Sequence, residues 1–217
     1  MGFLVNKKVL VLAGPTWVSL DKVRAITNIF TGELGLLIAR EFFRKGAKTI
    51  LLFGPGRREL INLEKDRFKI TFFNYFEELL KIVKKEARDC DIVINSAAIA
   101  DYQPVQKFSG KIKSGQKGLL IKLKPTVKII DLIRKINPAA VLVKFKLEAE
   151  RNEKKLIKTA YQSLLFSQAN FIVANSLAEI KGVYHKALIM DKNKKIVVSY
   201  TKKQTAKILV KVISQIF

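Results

Sequence analysis

KVLVLAGPTWVSLDKVRAITNIFTGELGLLIAREFFRKG, residues 8–46, contains the elements that decide the fold. It begins with a continuous apolar run, residues 8–14, of the kind that a parallel sheet buries on both faces. Apolar residues then recur at helical spacing before Gly46, a residue that commonly follows the end of a helix: Leu34, Leu37, Ile38 and Phe42. The stretch therefore predicts a strand, a long loop and a helix, the opening unit of a parallel α/β sheet.

The rest of the chain continues this alternation. Strand patterns cover residues 47–55, 70–75, 91–95, 139–150 and 170–176, and helical patterns cover residues 75–88, 126–138, 152–169 and 201–217. Residues 111–126 alternate as an antiparallel strand or hairpin does, and residues 186–200 indicate a hairpin that turns at residues 191–194. We predict one domain over residues 1–217 with a three-layer α/β/α, Rossmann-like fold, its sheet mostly parallel with an antiparallel extension.

The composition excludes several kinds of site. The single cysteine, Cys90, and the single histidine, His185, leave no internal disulfide, multi-thiol zinc site, histidine-based metal site or Ser-His-Asp triad. We therefore expect no metal site built from protein ligands. The longest apolar run, residues 9–18, is broken by Gly14 and Pro15 and is shorter than the roughly 20 apolar residues that cross a bilayer. We expect a cytoplasmic protein without a membrane partner.

The net charge of +23 is the feature of the composition that points towards nucleic acid. The lysines, however, are spread along most of the chain, and no RNA-binding signature or aromatic stacking motif accompanies them. We therefore expect no nucleic-acid partner. A positive field of this kind attracts phosphorylated substrates and nucleotides.

The loop of residues 14–35 does not match a dinucleotide fingerprint. That fingerprint places G-x-G-x-x-G directly between strand and helix, whereas seventeen residues separate Gly14 from Gly32 here. Gly32 and Gly35 lie at a predicted helix start, where backbone amides and the positive helix end bind phosphate. No tyrosine has a lysine four residues later, which argues against a short-chain reductase. The loop predicts a phosphate site without a nicotinamide.

Six motifs in one order carry a resemblance to a known family. They are GPTWVSLDKVRAITNIFTGELG, INSAAIADYQPV, GKIKSG, LKPTVKIIDLI, VKFKLEAE and FIVANS, and they run from about Val9 to Tyr200. The chain resembles phosphopantothenoylcysteine synthetase, the phosphopantothenate–cysteine ligase of coenzyme A biosynthesis, in its stand-alone form without the flavin-dependent decarboxylase domain. The resemblance implies 4'-phosphopantothenate, L-cysteine and a nucleoside triphosphate as substrates, Mg²⁺ bound with the nucleotide, no flavin, and a homodimer.

The resemblance also implies two catalytic residues. Asn28 matches the asparagine that holds the acyl-nucleotide intermediate, although an asparagine before a helix is also a common turn or N-cap residue. Lys111 matches the lysine placed against the triphosphate, where a cation offsets charge on the leaving group. In a chain so rich in lysine, a solvated surface residue is the alternative for Lys111.

Five further residues match nucleotide-binding positions of the family. Gly14, Gly32 and Gly35 match glycines that let the backbone approach phosphate, and turn or helix-packing geometry is their alternative. Phe145 matches an aromatic residue beside the base, with a buried core position as its alternative. Asn175 is a weaker candidate for a nucleotide-binding residue.

The substrate-binding residues come from two loops. Ala97, Ala98 and Asp101 match the loop that lines the pocket for phosphopantothenate and the nucleotide. Arg24 suits the 4'-phosphate, because a guanidinium binds phosphate bidentately, and in the family this arginine reaches across from the neighbouring subunit. Phe30 stands where the family commonly has serine, which leaves the choice between CTP, preferred here, and ATP open.

Overall fold

Strands and helices alternate along the chain in the computed structural model, which describes residues 4–62, 66 and 68–217. The strands are β1 (Lys8–Ala13), β2 (Trp17–Ser19), β3 (Ala25–Thr27), β4 (Lys48–Phe53), β5 (Lys69–Phe72), β6 (Ile92–Asn95), β7 (Tyr102–Pro104), β8 (Leu123–Pro125), β9 (Val141–Glu148), β10 (Phe171–Ser176), β11 (Ile180–Lys181), β12 (Tyr184–His185), β13 (Ala187–Asp191) and β14 (Ile196–Ser199). The helices are α1 (Glu33–Arg44), α2 (Phe76–Glu86), α3 (Ile129–Ile136), α4 (Glu153–Phe166) and α5 (Lys202–Ser214), with short 3-10 helices at Arg58–Leu60 and Leu177–Glu179.

Eight strands form one sheet in the order β14-β13-β10-β9-β6-β1-β4-β5. The six strands from β10 to β5 are parallel, and β13 and β14 add antiparallel strands at one edge. The predicted Rossmann-like sheet with an antiparallel extension is confirmed. From β1 the chain passes to β4 and β5 on one side and then returns to β6 on the other. The carboxyl ends of β1 and β6 therefore flank the reversal point at which open α/β sheets bind ligands.

Two hydrophobic layers cover the sheet because its inner strands are apolar on both faces. Val9 and Val11 of β1 pack with residues of α1 and α5, whereas Leu10 and Leu12 pack with residues of α2, α3 and α4. The connection through α1 thus covers one face and the connection through α2 covers the other. This arrangement is the predicted three-layer one, and it leaves the loops at the carboxyl edge free for a site.

Two antiparallel pairs outside the main sheet differ from the sequence prediction. Residues 14–35 contain a small hairpin of β2 and β3 that the pattern did not indicate. Of residues 111–126, predicted as an antiparallel strand or hairpin, only Leu123–Pro125 forms a strand, which pairs antiparallel with β7. The alternation over Leu119 and Ile121 was misleading, because these residues lie on an exposed or half-exposed segment without a sheet to pack against.

Candidate active site

The glycines of the first loop bring α1 against the end of β1. Gly14 and Gly32 have φ values of 78° and 80°, a left-handed conformation that favours glycine. A Cβ on Gly32 would lie 2.8 Å from the Phe53 ring and 3.0 Å from the Gly14 nitrogen, and one on Gly35 would lie 2.4 Å from Ala13 Cβ. Both predicted reasons for these glycines, tight packing and space for a ligand, remain compatible with this geometry.

The first turn of α1 has unused hydrogen-bond donors. Gly32 is the N-cap and offers no side chain, and Thr31 Oγ1 accepts from the Glu33 amide at 3.3 Å. The Leu34 and Gly35 amides have no hydrogen-bond partner among the residues that the structure describes. The Glu33 carboxylate accepts from Lys202 at 2.6 Å. This helix end is therefore equipped to bind an anion such as phosphate.

Asn28 lies beside the loop that follows β6. Its Nδ2 donates to the Ala98 carbonyl oxygen at 3.0 Å, and the Ala98 amide donates to the Gly14 carbonyl oxygen at 3.0 Å. Ala97 and Ala98 are both half-buried. The structure therefore brings Asn28, Ala98 and Gly14 together at the reversal point, as the sequence predicts.

Asp101 lies further along the same loop and is exposed. Its Oδ1 accepts from Lys128 Nζ at 2.6 Å, and its backbone oxygen accepts from the Thr126 amide at 2.9 Å. An exposed ion pair of this kind is weak, so a ligand hydroxyl or amine can compete with Lys128 for the carboxylate.

Arg24 lies at the tip of the β2–β3 hairpin, bound to its own chain. Its Nη1 donates to Asp21 Oδ2 at 2.7 Å and to the Ile112 carbonyl oxygen at 3.3 Å. The Asp21 side chain is fully buried and accepts also from the amides of Ile112 and Val23. The hydrogen bond from the Ile112 amide is the main cause that lowers the pKa of Asp21 from 3.8 to about 2. Desolvation raises this pKa, whereas the hydrogen bonds from the Val23 and Arg24 amides and the charge of Arg24 lower it further. This carboxylate joins the hairpin tip to the segment that carries Lys111.

The hairpin separates Arg24 from Asn28. The two residues flank the three residues of β3, so their Cα atoms are roughly 13 Å apart. Arg24 instead lines a cleft of about 230 Å³ with Ile112, Lys113, Gly115, Gln116, Gly118 and Leu119. Lys111 is exposed and has no hydrogen bond or ion pair within the described ranges. The chain therefore groups Arg24 with Lys111 at the hairpin tip, and Asn28 with Ala98 and Gly14 at the crevice.

Replacing Asp21 with asparagine should remove an acid-sensitive part of the stability. Because the folded-state pKa lies below the ordinary value, Asp21 stabilises the fold above about pH 4, and this contribution is lost as pH falls towards about 2. We expect D21N to have a lower urea midpoint than the wild type near neutral pH. The two midpoints should converge near pH 2, whereas the same change at exposed Asp89 should leave the midpoint unchanged. A constant difference across this range would show that Asp21 is not the titrating group.

Phe145 and Asn175 lie on β9 and β10, beyond the crevice floor. Phe145 is half-buried and packs with the residues of the layer that contains α1 and α5. The Asn175 amide donates to the Lys186 carbonyl oxygen at 2.8 Å and lies 3.4 Å from His185 Nδ1. Burial lowers the pKa of His185. Phe145 thus packs against the core, as its alternative had it, and the Asn175 amide links β10 to the residue before β13. Their nucleotide contacts stay predictions.

The sequence reasoning did not single out Lys144 on β9 or its neighbour Asn95, the last residue of β6. Lys144 Nζ donates to Ser163 Oγ at 2.8 Å, and Asn95 is its register partner on β6. The signal available was a lysine inside the apolar run of β9, VLVKF at residues 141–145, where a charge is unexpected.

The described residues contain neither a cluster of metal ligands nor a membrane-spanning helix. No group of three or more His, Cys, Asp or Glu side chains there is placed to hold a metal ion. No helix in those residues is long and apolar enough to span a membrane.

A sequence profile decides the family. The profile described as the DNA/pantothenate metabolism flavoprotein C-terminal domain matches residues 4–217. The chain belongs to this family. The recognition made from the motifs is therefore confirmed.

Relatives of the DNA/pantothenate metabolism flavoprotein C-terminal domain family share sequence and fold with the chain. The coenzyme A biosynthesis bifunctional protein CoaBC of Thermococcus kodakarensis is 34% identical over 176 residues, which are 80% of this chain and 42% of that protein. The DNA/pantothenate metabolism flavoprotein of Streptococcus pneumoniae has a structure with a TM-score of 0.88 and 29% identity, covering 97% of this chain and 100% of that one. The C-terminal domain of a CoaBC protein superposes with a TM-score of 0.80 at 27% identity, covering 100% of this chain and 98% of that one. The chain thus spans about two-fifths of the length of the bifunctional relative.

Proposed function

We propose that this chain is a phosphopantothenate–cysteine ligase of coenzyme A biosynthesis, and that it forms one domain over residues 1–217. The observation that carries the proposal is the crevice at the reversal point, where Asn28 and Ala98 meet the amino end of α1 in a chain of this family. That helix end is suited to phosphate, and the Asn28 amide can donate to an acyl or phosphoryl oxygen.

The proposed reaction has two steps. The carboxylate of 4'-phosphopantothenate attacks the α-phosphorus of the nucleoside triphosphate, and pyrophosphate leaves with the bonding electron pair. The cysteine amine then attacks the acyl carbon, loses a proton and displaces the nucleoside monophosphate. Such chemistry depends on positioning and on neutralising charge more than on a protein nucleophile. In this scheme Asn28 holds the acyl-nucleotide, and Lys111 lies against the departing pyrophosphate.

The remaining predicted residues bind the substrates in this scheme. Gly14, Gly32 and Gly35 let the phosphates approach the amino end of α1. Phe145 and Asn175 would bound the nucleotide further along the sheet edge.

The substrate loop completes the proposed site. Ala97, Ala98 and Asp101 line the wall shared by phosphopantothenate and the nucleotide, and Arg24 binds the 4'-phosphate.

Mg²⁺ fits the proposal as an ion that enters with the nucleotide. The described residues hold no cage of carboxylates, and Mg²⁺ bound to a triphosphate keeps phosphate oxygens and water as its main ligands. When bound, Mg²⁺ would neutralise phosphate charge. Asp101, on the loop beside the crevice, is the acidic side chain that this loop could offer to the ion. No step of the scheme uses a flavin.

The proposal is tested by supplying each substrate to the purified protein. With 4'-phosphopantothenate, L-cysteine, Mg²⁺ and CTP, we expect pyrophosphate and the ligated product, and less of both when ATP replaces CTP. A preference for ATP would correct the nucleotide and keep the reaction. Nucleotide binding measured by calorimetry without pyrophosphate from any triphosphate would favour a non-catalytic, basic nucleotide-binding module.

We also propose that two copies of the chain form the complete site. Arg24 and Asn28 lie at opposite ends of β3 within one copy, and in the proposed dimer a second copy supplies Arg24 to the crevice. Residues 105–127 carry the exposed apolar surface that a second copy can cover. Its members are between 41% and 95% exposed: Val105, Phe108, Leu119, Leu120, Leu123 and Val127.

Replacing Leu120 with aspartate should produce a monomer. Leu120 is 95% exposed in one copy, so the substitution leaves the fold intact but places a charge in an apolar interface. We expect sedimentation to show half the wild-type mass, with at least a tenfold loss of ligation, of the order expected when an Arg–phosphate contact is lost. Val183, which is 88% exposed on the β11–β12 turn, provides the control V183D, which should stay dimeric. A dimeric, active L120D protein would place the interface elsewhere.

A further inference from the structure

Lys144 differs from the other described lysines in its surroundings. Its ammonium donates to the Ser163 carbonyl oxygen at 3.1 Å and to Ser163 Oγ at 2.8 Å, and both acceptors are neutral. In contrast, neighbouring Lys128 and Lys146 pair with Asp101 and Glu148. Burial is the first cause that lowers the pKa of Lys144.

This ammonium lies at the edge of the crevice. Lys144 is the register partner of Asn95, the last residue of β6, while β9 continues to Glu148. Its side chain reaches α4, so it lies on the face covered by α2, α3 and α4, opposite to Phe145. Lys144 therefore lies on β9 beside the last residue of β6, next to the reversal point.

Asn95 adds a second group with unused hydrogen-bonding capacity. In the described part of the chain, its Oδ1 is the only buried side-chain nitrogen or oxygen without a hydrogen-bond partner. Ser163 occupies two of the three N–H bonds of Lys144. Unsatisfied buried polar groups are costly. Asn95 Oδ1 can only accept, so it suits a donor such as a ligand hydroxyl, whereas the third N–H of Lys144 suits an acceptor oxygen of the ligand.

The local charges indicate that the ligand is anionic. Lys128 and Lys146 act on Lys144 as like charges, and Asp131 is the opposing charge that acts on it. A half-buried cation that contacts only neutral oxygens is stabilised when an anion joins it. Lys128 and Lys146 already pair with carboxylates. Lys144 is therefore the one of these three ammonium groups without an anionic partner among the described residues, and an oxygen of a phosphate chain can supply one.

We propose that Lys144, held in place by Ser163, binds the phosphate chain of the nucleoside triphosphate. The inference rests on the proposed ligase function and names a nucleotide contact that the motifs did not identify. Two substrates carry phosphate, the nucleotide and 4'-phosphopantothenate. The nucleotide is the better match, because the proposed site already assigns the single 4'-phosphate to Arg24 of a second copy.

The test measures binding of each phosphate compound separately. Lys144→Met keeps the length of the side chain and removes its charge. We expect calorimetry to show roughly 10- to 100-fold weaker binding of CTP, the range for a lost charged hydrogen bond, and unchanged binding of 4'-phosphopantothenate. The KM for the triphosphate should rise by the same factor. Ser163→Ala should cause a smaller loss in the same direction, and Lys144→Arg should restore part of the affinity.

The controls separate this inference from the proposed function. Exposed Lys135 on α3 gives K135M, which changes the net charge equally and should bind CTP as the wild type does. If K144M binds CTP and cytidine more weakly by the same factor, Lys144 contacts the base, and the proposed phosphate contact is wrong. Wild-type affinity for CTP in both K144M and S163A would also overturn the phosphate contact. Weakened binding of 4'-phosphopantothenate alone would assign Lys144 to the other substrate. Absence of CTP and ATP binding by the wild-type protein would instead contradict the proposed function. K144M should melt no lower than the wild type, because it removes a buried charge.

Discussion

Asn28→Ala is expected to reduce ligated product about 100- to 1000-fold, the loss typical when one donor to a reacting oxygen is removed. In the structure the Asn28 amide reaches the Ala98 carbonyl oxygen at 3.0 Å beside the first turn of α1, so its loss leaves the phosphate site intact. Pyrophosphate release should therefore continue, and the acyl-nucleotide should accumulate or escape. Quenched-flow measurement of pyrophosphate and of product separates these two steps.

The control for this substitution is an asparagine at the opposite edge of the sheet. Asn193 lies in the turn between β13 and β14 and is exposed, so N193A should make product at the wild-type rate. If N28A also forms product at the wild-type rate, Asn28 is a turn residue and the acyl intermediate is held elsewhere. If pyrophosphate release and product formation fall by the same factor, Asn28 acts in the first step, the activation of the carboxylate.

Gly32→Ala is expected to destabilise the fold by about 2–4 kcal/mol, the sum of a left-handed conformation and overpacking. The residue has φ 80°, and a new Cβ would lie 2.8 Å from the Phe53 ring and 3.0 Å from the Gly14 nitrogen. Relief of these contacts would move α1 away from β1 and displace the free amides of its first turn. We expect a lower urea midpoint together with at least tenfold weaker triphosphate binding, because the helix end no longer faces the phosphates.

Gly115 provides a matched control for Gly32. Its φ is 79°, and a Cβ there would meet nothing within 4 Å, so G115A incurs the backbone cost of roughly 1–2 kcal/mol alone. The difference between the two variants measures the contact with Phe53 and Gly14. Equal destabilisation with unchanged nucleotide affinity would contradict the close packing described here.

The fold and the glycines of the first loop were predictable because each followed from a strong local pattern. The apolar run of β1 and the helical spacing before Gly46 fixed the first unit. Gly14 and Gly32 were recognisable because their positions, one after a strand and one before a helix, require an unusual backbone. The family motifs then identified Asn28 and the loop around Ala98, which the structure brings into contact.

Other features depended on contacts that no local pattern records. The alternation in residues 111–126 predicted a strand, but a strand forms only where a partner is available, and β7 pairs with Leu123–Pro125 alone. The hairpin of β2 and β3 is held by Asp21, whose bond to the Ile112 amide joins residues 91 positions apart. Lys144 gave little signal in a chain with 41 lysines and arginines, because its distinction is burial.

The difference in length between β6 and β9 affects how the crevice can tolerate sequence change. β9 continues four residues beyond Lys144, the partner of the last residue of β6, which leaves about 13 Å of strand edge facing the crevice. The peptide groups along such an edge are the same whatever side chains the strand carries. A ligand that binds this edge is recognised by groups that substitutions, apart from proline, do not remove. Exposed side chains such as Phe30 can then differ between members of the family without loss of this binding surface.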